Sequence, residues 1–406
     1  MPRPDVSENT FGTAWSPSDL LERTARREQA VIFVAALIAR WMWWDEVGTS
    51  VVRDATRYIA WCQDLSAGTL FGSRAIAYAG YWLPYCGWLE ATDYYVEGWV
   101  AVQVVLSALT CVVVYEAART LVGRQAALVA GGAFVFQWQV YRWVARPQSE
   151  FVLTFLLAVA VWRLGRYHTD PSRRNRLFAL VSLGFVATAR PNGLPIVLGY
   201  LVYDCFPASS GRRLNLFASA RANLALAGVV VAGVVYRLQF GWAMGSVLTP
   251  WKRGIVITPE RFVYQYSPTE PGSMIGFFVA NIEHVTAIAT LRGLWFFSPV
   301  MPGWSTLHAT RATVTLVPIT VGAALGIYRA WHHDRALLVL WGTPLAMIVL
   351  TAMGIWVAGW RNFLGPAVVV YALFTGYYVE NEVVPRLENK VIPRLRSLRA
   401  RIAGSR

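Results

Sequence analysis

The sequence predicts an all-α protein that crosses a membrane about ten times. Three observations predict it. Of the 406 residues, 56% are hydrophobic and only 15% are charged, where a soluble domain carries about 25% charged residues. Mean hydropathy is accordingly positive, at +0.41. Apolar runs near the ~20 residues needed to span a bilayer recur from end to end. Arginines gather in the short links between those runs, which is the positive-inside pattern.

Each element follows from its own run. The spans are predicted at 29–44, 96–118, 126–140, 150–164, 177–189, 191–206, 223–240, 309–328, 336–355 and 362–380. Between the fifth and sixth, "TARPNGLP" is either a turn joining two helices or a kink in one. Arg23, Arg26 and Arg27 precede the first run. Arg163, Arg166, Arg173, Arg174 and Arg176 surround the fourth link, Arg212, Arg213 and Arg221 the sixth, and Arg329 and Arg335 the eighth. Placing all of these in the cytoplasm puts both termini inside and requires an even number of spans. The chain then divides into a cytoplasmic segment 1–28, a transmembrane domain 29–380 and a basic cytoplasmic tail 381–406. No cleavable signal is expected, because the first 28 residues are polar and no A-x-A site follows the first run.

Two long loops face outward, 45–95 and 241–308. Both carry aromatic residues of interfacial type, among them Trp82, Trp88, Trp99, Trp242, Trp251, Trp295 and Trp304. Residues 274–298 form either an interfacial helix or an eleventh span, and Glu283, His284 and Arg292 favour the interface. In the tail, Leu387, Val391, Leu395, Leu398 and Ile402 recur at helical spacing. It is either a surface-lying amphipathic segment or a disordered basic one. No internal repeat is visible, which weakens transporter folds built from inverted repeats.

The net charge of +14 is nearly all arginine, with Lys252 and Lys390 the only lysines. A basic balance can signal nucleic acid. Here its confinement to short loops argues for topology instead. Of the four cysteines, Cys111 and Cys205 fall in or beside apolar runs as small core residues. Cys62 and Cys86 share the first outward loop and could form a disulfide, though nothing in the sequence requires one. No metal spacing is present. Glu283 and His284 are adjacent and on a helix point about 100° apart. His308 has no partner pattern, and His332 and His333 fall on the cytoplasmic side.

Chemistry-bearing residues collect on the outward side. "VVRDATRYIAWCQDLSAGTL" (51–70) reads as a helix on which Asp54 and Tyr58 share one face and Arg53 and Arg57 the adjoining one. Asp45, Glu46, Asp64 and Arg74 lie in the same loop. Arg142, Arg146 and Glu150 surround the third outward turn, Arg190 the next, and Arg361 precedes the last span. Lys252, Arg253 and Arg261 lie in the second large loop. Guanidinium forks from separate spans at one membrane face suit an anionic lipid headgroup, whose phosphate they hold bidentately. Each residue has a plainer role as well. Asp54 can cap a surface helix and Glu150 a span. Arg190 and Arg361 can be interface anchors, and Tyr58 can be aromatic packing.

In "RDATRYIAWCQDLSAGTL" an Asp, and a Tyr four residues on, open a helix that ends at Gly-x-Leu. The stretch resembles the first-loop motif of GT-C fold glycosyltransferases, the group of the protein O-mannosyltransferases and the lipid A aminoarabinose transferase. "AYAGYWLPYCGWLEA" is similar to the family's Pro- and aromatic-rich segment. "YEAARTLVGRQAALVAGGAFVFQWQVYRWVARPQSEFVLTFLLAVAVW" resembles its second to fourth spans. "ATARPNGLPIVLGYL" looks like its Arg-Pro turn, and "WRNFLGPAVVVYAL" like its last Arg-containing element. The resemblance covers 50–205 closely and 295–380 more loosely. Ala55 departs from the pattern, since many members carry a second acidic residue there that contacts substrate or metal. Asp45 and Glu46 could substitute, so a divalent metal stays open.

The resemblance implies a reaction. A sugar arrives on a polyprenyl phosphate, an acceptor attacks its anomeric carbon, and the lipid phosphate leaves. It implies Asp54 as general base, with inversion. Arg190 and Arg361 would hold the phosphate, with Arg57 and Arg146 beside them, and Tyr58 and Glu150 would shape the site. The acceptor would be a glycan, lipid or protein at the extracytoplasmic face of the plasma membrane. Two rivals share the chemistry: a transporter or flippase of a lipid-linked sugar, and a surface-glycan polymerase or ligase that takes a whole lipid-linked oligosaccharide. A transporter needs ionisable groups at mid-membrane depth, and these spans are nearly free of acids away from their ends.

Overall fold

A computed structural model describes residues 17–52, 54–69, 78–205, 216, 228, 243–258, 261–270, 273–354 and 360–391. The described residues form helices and no strand; the one backbone bridge joins Ile255 and Val263. The chain runs α1 (Pro17–Val47), α2 (Asp54–Ser66), α3 (Ala79–Ala91), α4 (Val96–Leu121), α5 (Arg124–Val135), α6 (Trp138–Tyr141), α7 (Ser149–Thr169), α8 (Arg173–Ala189) and α9 (Gly193–Cys205). It continues with α10 (Ala243–Lys252), α11 (Met274–Ala280), α12 (Ile282–Phe296), α13 (Thr306–His333), α14 (Arg335–Gly354) and α15 (Trp360–Tyr378), which passes into wider turns through Val391. The span predicted at 223–240, the tail beyond 391 and the segment before 17 lie outside the described residues.

Every other predicted span except the third is a single helix over its described residues. Three of them, α4, α13 and α14, are each long and apolar enough to cross a membrane. The protein is an all-α integral membrane protein. The third predicted run behaves differently. It breaks at Phe136 into α5, only 12 residues long, and the single turn α6. At about 1.5 Å per residue, α5 reaches roughly 18 Å of a ~30 Å hydrocarbon layer. "TARPNGLP" is a turn between two helices. Residues 274–298 form two helices that meet at 89°. The bend is at Asn281, whose side chain donates to the Thr269 and Phe277 carbonyls and accepts from the Thr269 N–H.

Helix α15 is the centre. From Ala367 to Phe374 every residue is buried, as expected of a helix that is apolar all round. It packs on α13, α5, α14 and α7. Close approach needs glycine at two crossings. A Cβ on Gly326 of α13 would lie 2.1 Å from the Phe374 carbonyl oxygen, and one on Gly376 would lie 2.4 Å from that of Ala126. Around this centre α4 packs on α1, α5 and α7, while α8 joins α7 to α9 and α9 lies against α14. Helix starts are capped by side chains. Ser172 accepts from the Asn175 N–H, Ser305 from His308 and Asp334 from Leu337.

Two arginines sit wholly inside. Arg40, in the first span, is fully buried. It donates to Ser107 Oγ at 2.6 Å and to the carbonyls of Ala36 and Val135 at 3.2 Å, so it satisfies the open end of α5. Arg292, expected at an interface, points into the protein. It is buried, donates twice to the Ile255 carbonyl and once to that of Met353, and lies 4.0 Å from the Trp251 ring centroid. Periodicity cannot announce either arrangement, because both depend on where another helix stops.

Candidate active site

The first long loop folds as a cap, with an aromatic core separate from that of the bundle. Tyr58 and Trp61 of α2 meet Tyr81, Trp82 and Tyr85 of α3, Trp99 of α4 and Phe151 of α7. A Cys62–Cys86 disulfide joins α2 to α3.

Asp54 opens α2, and its carboxylate is 31% exposed. Arg57, one turn on, places its guanidinium 3.5 Å from that carboxylate. The same guanidinium lies 5.0–5.3 Å from the ring centroids of Tyr58, Trp61 and Tyr78, an arrangement that favours the cation. Tyr58 turns inward and is fully buried. Its hydroxyl shares a 2.8 Å hydrogen bond with Ser149 Oγ at the start of α7. Arg190 Nη1 donates to the same Ser149 oxygen at 2.9 Å and pairs with Glu150 Oε2 at 2.7 Å. The Arg190 guanidinium also lies 5.7 Å from the Tyr78 ring, so Tyr78 stands between Arg57 and Arg190.

Local sequence explains the convergence. Arg190 precedes Pro191, which excludes the helical region for the residue before it. Arg190 is extended (φ −166°, ψ 152°), so α8 ends there and the side chain turns toward α7. Glu150 falls in the first turn of α7, where the helix dipole favours an acid. Burial pushes the Tyr58 phenol up from its ordinary value, and Glu150 adds to this, against Arg190 and the Ser149 bond. Tyr58 is therefore a protonated hydrogen-bonding group and not a base. Burial alone would weaken the Arg190 cation, but Glu150, with Tyr78, Tyr58 and Asp54, reverses that and holds its pKa above the ordinary value. Arg57 is held up in the same way, chiefly by Asp54 against the effect of burial.

Of the residues singled out by sequence, the structure thus joins Asp54, Arg57, Tyr58, Glu150 and Arg190. Arg146 is half-buried on the stretch leading into α7, its guanidinium 5.2 Å from the Trp143 ring. The Arg361 side chain lies outside the described residues. Ser149 and Tyr78 were not anticipated; "QSE" had signalled only a helix cap, and Tyr78 sat unmarked in an aromatic run. His308 has a partner after all, the Arg142 guanidinium. Among the described residues no three His, Cys, Asp or Glu side chains gather as a metal site requires.

No curated protein matches the chain. The family model of dolichyl-phosphate-mannose-protein mannosyltransferase matches residues 96–238. That match begins at α4, so it includes Arg146, Ser149, Glu150 and Arg190 and omits the α2 residues. Across its central helices this chain is similar to that family, and the match supports an integral membrane glycosyltransferase of the GT-C type.

Proposed function

We propose that the protein transfers a sugar from a polyprenyl-phosphate donor to an acceptor hydroxyl, with Asp54 as the general base. The observation that carries this reading is the convergence of α2, the start of α7 and the α8–α9 turn on one cluster of two carboxylates and two guanidinium groups. Asp54 takes the proton of the acceptor hydroxyl. The acceptor oxygen bonds to the anomeric carbon on the face opposite the phosphate, with inversion. The bond from that carbon to the phosphate oxygen breaks, and polyprenyl phosphate leaves with the electron pair.

The two arginines divide the work. Arg57 is the more exposed, at 38% of its side chain against 6% for Arg190. Arg57 meets the donor phosphate, and the buried Arg190–Glu150 pair holds Tyr58 and the α2 cap in place. Charge developing on the leaving phosphate is what such a fixed cation stabilises. An incoming phosphate also competes with Asp54 for Arg57, which frees the carboxylate when the donor is bound. Arg146 and Arg361 are further phosphate ligands in this reading. The Cys62–Cys86 bond fits an oxidising compartment, and in this reading the cap faces the outside of the plasma membrane and both termini lie in the cytoplasm. The transporter reading stays the weaker one because the predicted spans are nearly free of acids away from their ends.

The test is release of polyprenyl phosphate from a short-chain donor carrying a radiolabelled sugar. Wild type releases it, and Asp54→Asn and Asp54→Ala lower the rate by about 10²–10⁴-fold. Full activity in either folded variant removes Asp54 as the base.

A further inference from the structure

A second recess lies beside the cap, between the end of α1, the turn α6 and the start of α13. It encloses ≈ 730 Å³, within the range of small-ligand sites. Three aromatic rings form its floor. Trp138 meets Trp43 edge-on at 4.6 Å and Tyr141 at 5.3 Å. Trp138 is only 4% exposed, and its indole N–H has no acceptor among the described residues. That N–H is itself buried, so the ring serves the recess as a fixed aromatic floor.

The rim carries both signs of charge. Asp45 and Glu46 are exposed on the α1 side. Arg311 stands on the α13 side, its guanidinium 4.8 Å from the Trp138 centroid. A phosphate would meet two exposed carboxylates here against one guanidinium, whereas the Arg57 site has two guanidinium groups for its two carboxylates. An uncharged hydroxylated group suits both sides, donating to the carboxylates and accepting from the guanidinium. Below the rim the wall becomes apolar. It includes Ala39, Met42 and Val314, with Met42 65% and Val314 66% exposed on outward faces of membrane helices. The recess is tied to the stretch that leads into Glu150. Trp43 Nε1 donates to the Arg142 carbonyl, and the Ser50 N–H donates to that of Ala145, both at 3.1 Å.

We infer that this recess binds the acceptor, and that the acceptor is a lipid with an uncharged glycosyl headgroup. The headgroup sits on the aromatic floor between Asp45, Glu46 and Arg311, and the chain runs down past Met42 and Val314. The inference rests on the transferase reading for the word acceptor, while the binding itself is independent of it.

The experiment uses full-length protein in nanodiscs free of glycoside detergent. The probe is a dodecyl glucoside bearing a diazirine, and labelled peptides are mapped by mass spectrometry. Labelling is expected on 39–46, 138–141 and 310–315, displaced by dodecyl glucoside. Val314→Trp fills the apolar wall, and Asp45→Asn/Glu46→Gln removes the acidic rim. Both alter exposed positions, and each is expected to weaken labelling by about tenfold or more. Displacement by dodecyl phosphate as effective as by dodecyl glucoside overturns the headgroup assignment. Displacement by methyl glucoside at the same concentration overturns the lipid. Labelling elsewhere, or unchanged in both variants, overturns the site. Donor breakdown is measured in parallel. Cleft labelling without breakdown removes the transferase reading alone, and breakdown without cleft labelling removes this inference alone.

Discussion

Breaking the Glu150–Arg190 pair should lower the melting temperature of the whole fold. At 2.7 Å and an effective dielectric near 20, the two charges attract by about 6 kcal/mol. Taking both ions out of water offsets most of that, so the intact pair adds little. Removing one partner is different. The side chains are only 6% and 8% exposed, and Glu150→Met would leave the buried Arg190 without its carboxylate partner at 2.7 Å. The expected cost is about 3–5 kcal/mol. With an unfolding entropy of about 2.1 cal/mol/K per residue, that is a fall in Tm of about 4–6 °C. Arg190→Met should cost a similar amount. The double variant should recover part of the loss, because it leaves no unpaired charge. Thermal unfolding in nanodiscs, followed by tryptophan fluorescence, reads all three. Singles within about 1 °C of wild type, or a double variant no better than the worse single, would refute the reasoning.

Other expectations follow from the same structure. Replacing Cys62 and Cys86 by Ser opens a loop of sequence separation 24 and should cost about 3 kcal/mol in the chain-entropy account, read as faster hydrogen exchange across α2 and α3 with the bundle unchanged. Arg40→Met removes the donors from the end of α5 and leaves the Val135 carbonyl and Ser107 unsatisfied; a loss of about 2 kcal/mol or more is expected in the same melts. Glu28 accepts from Arg124 and Tyr115, and these bonds outweigh burial and hold its carboxyl below the ordinary range. Its folded pKa is depressed, so the stability it adds is present above the unfolded value and is lost as pH falls through the folded one. Tm measured between about pH 5 and pH 3 should therefore fall less steeply in Glu28→Gln than in wild type.

The sequence showed the helices well, because apolar runs are local signals, and three of them are long and apolar enough to cross a membrane. It placed Asp54 and Arg57 correctly on one helix, since positions three apart are neighbours on any helix. It marked Glu150 and Arg190 separately, one as shaping the site or capping a span and the other as holding the phosphate or anchoring at the interface. Their pairing depends on how α8 turns back on α7, which no window of residues records. Arg40 was legible as a charge in an apolar run and passed over, because its partners are carbonyls that α5 exposes by stopping early. The second recess was the least legible, being assembled from three segments nearly 280 positions apart at their extremes.

The short helix α5 also bears on how the protein is made. Its twelve residues are too few to settle in a bilayer alone, and the carbonyls at its end are left open until Arg40 reaches them. Arg40 emerges from the ribosome long before α5 does. Until then it sits in the first span at a cost of about 2.5–3.5 kcal/mol on insertion scales. The apolar run "AVIFVAALIA" that precedes it has to hold the helix in place through that interval. Arginine and open helix end then cancel each other's penalty when α1, α4 and α5 meet. In the folded bundle the first span is thus completed by a later one, because Arg40 and the open end of α5 satisfy each other.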